Sequence, residues 1–112
     1  MADHNVSLMY TKSGFQATPE TIKVRPGQTI AFGLAPGSMT GKIRIRFADR
    51  TFFATSREHF KQDGIFHDGE GPVKVTAPLP GRTTYQCELL DDQGKVIAES
   101  KENQGGGVVP DT

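Results

Sequence analysis

Apolar and polar side chains alternate with a period of two along most of this 112-residue chain, the spacing of a strand that buries one face. The clearest case is Lys42-Ile43-Arg44-Ile45-Arg46-Phe47, where Ile43, Ile45 and Phe47 face one way and three cations the other. Upstream, Val6, Leu8 and Tyr10 alternate with Ser7 and Met9, and Ile22 and Val24 alternate with Thr21, Lys23 and Arg25. Pro26-Gly27 predicts a turn, proline fixing a negative φ and glycine taking the positive one, before Ile30, Phe32 and Leu34 resume the alternation. Downstream, Thr51 to Ala54 can extend a strand, and Val73, Val75 and Ala77 predict another. Thr83, Tyr85, Cys87 and Leu89 form a further apolar row, with polar Thr84, Gln86 and Glu88 opposite. Asp91-Asp92-Gln93-Gly94 has the composition of a four-residue hairpin loop with glycine in the left-handed position, and Lys95 to Glu99 closes that hairpin.

Two stretches depart from this rule. Thr55-Ser56-Arg57-Glu58 has the spacing of a helix capping box, which predicts a turn or two of helix over Ser56 to Gln62 in a connection between sheets. After Ser100 the apolar content falls too low to order the chain by itself, so residues 101–112 read as a flexible tail. The resulting expectation is an all-β fold: a two-sheet Greek-key sandwich of about seven strands over residues 1–100, with at most one short connecting helix.

Composition narrows the class. With 35% hydrophobic residues, 13 glycines and 7 prolines, the chain suits many short elements separated by turns, and its length supports one two-layer core. The single cysteine, Cys87, cannot close an internal disulfide, which suits a reducing compartment. Met1-Ala2-Asp3-His4-Asn5 carries an acid where a secretory leader has its basic region, and no apolar run approaches the length of a membrane span. The expectation is a cytoplasmic protein without a span, or a periplasmic one if a leader has been removed.

Two segments resemble the cupredoxins. Phe15 to Phe32, with its Phe-x-x-x-Pro start, alternating strand, Pro26-Gly27 turn and second alternating strand, is similar to their early strands. Pro80-Gly81-Arg82-Thr83-Thr84-Tyr85-Gln86-Cys87 resembles the strand that carries their copper thiolate. The resemblance implies a two-sheet Greek-key sandwich over roughly residues 5–100. It does not extend to the copper ligands: Leu90 and Asp92 stand at the second histidine positions, Lys95 and Val96 at the methionine positions, Thr40 near the first histidine position, and neither His nor Met follows Cys87. A thiolate alone does not make a blue copper centre. Tyr85-Gln86-Cys87 also resembles the tyrosine corner of immunoglobulin-like domains, although the partner cysteine and the core tryptophan are missing. Either family implies the same architecture.

Candidate chemistry is sparse. Cys87 lies in the inward phase of its strand, the position of a small core hydrophobe rather than a nucleophile. A soft ion such as Cu(I) held by Cys87 with Met39, His59 or His67 is the alternative reading. His67-Asp68-Gly69-Glu70 reads as a solvated loop, and the glycines form no phosphate loop. Neither a cofactor nor catalysis is expected. Charge changes the picture more. Thirteen basic and thirteen acidic residues cancel, yet residues 1–62 carry +5 and residues 63–112 carry −5. Lys42, Arg44 and Arg46 on one strand face therefore form the candidate binding surface, for another protein or a second copy of this chain. Nucleic acid fits less well, because Phe32, Phe47 and Tyr85 lie in core phase instead of standing exposed for stacking.

Overall fold

The computed structural model of the chain describes residues 2–12, 14–55, 60, 64–67, 71–100 and 106–111. These residues contain eleven strands: β1 (His4–Thr11), β2 (Gly14–Thr18), β3 (Thr21–Val24), β4 (Thr29–Leu34), β5 (Lys42–Phe47), β6 (Phe53–Ala54), β7 (Ile65–His67), β8 (Val73–Val75), β9 (Thr83–Leu90), β10 (Val96–Glu99) and β11 (Gly106–Pro110). One sheet has the order β2-β1-β4-β8-β6; the other has the order β3-β11-β9-β5-β7, with β10 also paired to β9. Each sheet mixes antiparallel pairing with one parallel pair, β1 with β4 in the first and β3 with β11 in the second.

Alternation becomes burial as expected. Ile43, Ile45 and Phe47 of β5 turn into the sandwich, as do Tyr85, Cys87 and Leu89 of β9, which lie directly across from them. Val6, Leu8, Ile30, Val73 and Val75 supply the opposing layer. Between the sheets Phe47 stacks on Phe53 with centroids 4.7 Å apart, while Phe32 meets Tyr85 edge-on at 5.3 Å and lies 5.7 Å from Phe66. Such tilted and edge-to-face contacts suit the ring quadrupoles and add to the area buried. The aromatics assigned to core phase thus form an interior cluster that ties the sheets together.

The turns follow their residue chemistry. Gly27 adopts a φ of +92° where the Gln28 amide donates to the Arg25 carbonyl at 3.1 Å. In the β9–β10 hairpin Gly94 adopts +82°, and Asp91 Oδ1 accepts the Gln93 and Lys95 amides at 2.9 Å each. That side chain adds to the backbone bonds of the same turn, in which the Asp91 amide donates to the Lys95 carbonyl at 2.9 Å and the Gly94 amide to the Asp91 carbonyl at 3.0 Å.

Among the described residues the strands number eleven rather than about seven, and β2, β7 and β11 lie in stretches the alternation did not separate as strands. Helix over Ser56 to Gln62 lies outside the described residues except for Phe60, which is buried and edge-on to Phe47 at 5.7 Å. The flexible tail is overturned for Gly106–Pro110, which form β11 inside the six-stranded sheet. Its neighbours do the ordering: β11 runs parallel to β3 from Gly107 opposite Thr21 to Pro110 opposite Val24, and antiparallel to β9 over Tyr85 to Thr83. Val108 is fully buried in the core. At Gly106 an added β-carbon would overlap the hydroxyl of Tyr85, itself fully buried, so only glycine lets the strand lie across that ring.

β10 and β11 follow one another along the same edge of β9. Where they part, Ser100 takes over the pairing: its amide donates to the Cys87 carbonyl at 2.8 Å and its Oγ accepts the Cys87 amide at 2.9 Å. This buried serine satisfies backbone groups that would otherwise be left without partners inside the fold.

Candidate functional site

The register of β5, β9 and β7 decides what the basic strand becomes. Arg44 lies opposite Glu88 on one side and His67 on the other; Arg46 lies opposite Gln86 and Ile65; Lys42 lies opposite Leu90. All of these occupy the outer face of the six-stranded sheet. Glu88 is therefore in outward phase, yet its side chain is only 7% exposed. Two arginines cover it: Arg44 donates from Nε to Oε1 at 2.9 Å and from Nη2 to Oε2 at 3.0 Å, and Arg46 donates from Nε to the same Oε1 at 2.7 Å.

Burial alone would push the Glu88 carboxyl up, because the charged form loses solvation. The hydrogen bonds from Arg44, followed by those from Arg46, outweigh it and hold the group below the ordinary carboxylate range. Glu88 is thus ionised at neutral pH, and its carboxylate orders two long side chains on a sheet face that otherwise leaves arginine free to wander.

The rest of this face is also cationic. Arg82 reaches Thr21 Oγ1 on β3 at 3.3 Å, its guanidinium crossing β11 where a β-carbon on Gly107 would stand. Lys23 follows on β3, in register with Val109. Among the described residues the outer face presents Lys23, Lys42, Arg44, Arg46 and Arg82 against Glu88 and Glu99, the last in register with Glu88 across β10. Arg25 lies apart, in an exposed pair with Asp111 at 3.2 Å.

The remaining candidates do not converge. Cys87 is fully buried, in register with Ile45 on the inner side of the sheet, whereas His67 is in register with Arg44 on the outer side. Burial, with the nearby Glu88 charge, pushes the Cys87 thiol up, away from the thiolate a nucleophile or a soft-metal ligand needs. Met39 is exposed in the loop after β4, its amide donating to the Tyr10 carbonyl at 2.9 Å. His59 lies outside the described residues. Among the described residues no three of His, Cys, Asp and Glu are grouped to hold an ion, and no helix is long and apolar enough to cross a membrane. The Tyr85 hydroxyl is buried and has no hydrogen-bond partner among the described residues, so the loop-tying bond of a tyrosine corner is not made there.

Comparison with protein-family models, with curated proteins and with solved structures finds no match in any of the three.

Glu88 is the residue that alternation misses. As one of three polar residues on the outward side of β9 it reads as solvated, and only the pairing of β9 with β5 shows that it stands between two arginines. The same pairing dissolves the division into a positive first half and a negative second half, since β5 comes from one and β9 from the other. What remains on the outer face is an excess of cations, with Lys23, Lys42, Arg46 and Arg82 all exposed.

Proposed function

We propose that this chain is a non-catalytic, cupredoxin-like recognition module that binds an acidic protein surface through the outer face of its six-stranded sheet. Lys42, Arg44 and Arg46 form the centre of that surface, and Lys23 and Arg82 extend it. The observation that carries this reading is the imbalance along the strands of one face, five cations against two carboxylates, with Asp91 and Asp92 of the β9–β10 loop beside Lys42 at its edge, in a chain whose net charge is zero. Like charges gathered on one face raise the local potential well above what the net charge suggests, and they steer an oppositely charged partner into place. A binding role also fits the burial of Cys87 within the core, where a thiol serves as packing.

The test uses the full chain and immobilised polyglutamate as a defined acidic surface. At low ionic strength and neutral pH the chain is expected to bind, and rising salt is expected to release it as the Debye length contracts. Reversing both exposed cations of β5, Lys42→Glu with Arg46→Glu, should abolish capture. Retention indifferent to salt and to the double reversal would sink the reading.

A further inference from the structure

The two arginines that bind Glu88 are not equivalent. Arg44 meets both carboxylate oxygens, so its planar fork is occupied, and its side chain is 20% exposed. Arg46 gives only its Nε hydrogen, and its side chain is 43% exposed. A guanidinium carries five donors, so the Nη hydrogens of Arg46 are left without a partner among the described residues. They form a planar pair at the open end of a group whose other end is tied to a buried carboxylate. Most of the rotamer freedom an arginine loses on binding is here already lost on folding.

Resting on the recognition reading above, we propose that Arg46 is the anchor of the outer face. Its Nη pair grips one Asp or Glu carboxylate of the partner in a two-point hydrogen bond, and Glu88 is the positioning residue that aims it. Planar two-point pairing is the geometry a guanidinium offers and an ammonium does not. The surrounding cations argue for carboxylates rather than a compact multiply charged group. Lys42 stands two outward positions along β5, Arg82 crosses β11 two strands away, and Lys23 sits on β3 three strands away. Neighbouring strands are about 4.8 Å apart, so these charges spread over roughly 15 Å. A phosphate wants several cations converging on one point, whereas a row of separate cations matches separate carboxylates on a protein surface.

The experiment measures binding of the full chain and its variants to immobilised polyglutamate. Arg46→Lys, with the formal charge kept, should weaken binding about tenfold, while Lys42→Arg changes it little. Glu88→Gln should weaken binding as well, although it removes a negative charge from a basic face. A mere-charge mechanism predicts the opposite sign for Glu88→Gln and no effect for Arg46→Lys; either result overturns the anchor and leaves general electrostatic recognition standing. Absence of binding by the parent chain sinks the recognition reading itself, and the anchor with it. Inorganic phosphate competing far better than acetate at equal charge would overturn the choice of carboxylate. A second measurement does not depend on binding: the Arg46 Nε hydrogen should give a protected nuclear magnetic resonance signal in the parent chain and lose it in Glu88→Gln, with the backbone spectrum still that of the folded protein. Free exchange of that hydrogen in the parent chain refutes the positioning role.

Discussion

The two faces of the β5–β9 ladder share six residue pairs in one register, and they hold together in opposite ways. Inward, Ile43, Ile45 and Phe47 meet Tyr85, Cys87 and Leu89, and stability comes from removing apolar surface from water. Outward, Arg44 and Arg46 meet Glu88, and stability comes from directed hydrogen bonds between ions that water also solvates well. The inner face asks for volume and tolerates many identities. The outer face asks for one particular acid at one particular position, and it leaves donors over for a partner.

Substitutions can separate the two. Ile45→Ala at the fully buried centre of the inner face should cost about 3 kcal/mol, read as a lowered urea midpoint with an unchanged slope. A cost under about 1 kcal/mol would mean that this face is not packed as described.

Glu88→Ala on the outer face should cost about 1 to 2 kcal/mol, less than a fully buried pair, because the arginines it abandons can turn to water. Its pH dependence carries a sign. The folded carboxyl sits below its ordinary value, so on acidification the unfolded chain takes up the proton first. The contribution of the pair is therefore complete above the ordinary glutamate value of about 4.3 and disappears as pH falls through the depressed one. Denaturation from neutral to acid pH should show a shallower acid limb in Glu88→Ala than in the parent chain; identical limbs would separate Glu88 from acid stability. Lys42→Ala, exposed and outside the Glu88 pair, should change stability by less than about 0.5 kcal/mol. A larger loss by the same denaturation measurement would place Lys42 inside the ion cluster.

The contrast also governs what the sequence discloses. Burial of alternate residues is a local property, so Lys42 to Phe47 announces a strand and its two faces with nothing else known. The Gly94 hairpin and the Gly27 turn are legible for the same reason, since their chemistry lies within four residues. Glu88 beside Arg44 is a property of register between strands far apart in the chain, and neither strand alone carries it. Gly106–Pro110 is hidden for a related reason: two valines among glycines and proline offer little apolar surface, and the order comes from β3 and β9 on either side. The separation of charge into halves misleads by the same route, because sheet pairing interleaves what the sequence keeps apart.

The pairing of β3 with β11 bears on how the protein is made. Among the described residues β3 has a single neighbour in its sheet, β11, and 81 residues, 25–105, lie between the two. During synthesis residues 21–24 therefore emerge from the ribosome long before the strand that must cover their edge, and Ile22 and Val24 wait without a sheet until residue 110 has cleared the exit tunnel. Contacts of such long range close late and slowly. Until then the nascent chain carries an open strand edge that no earlier folding step can seal.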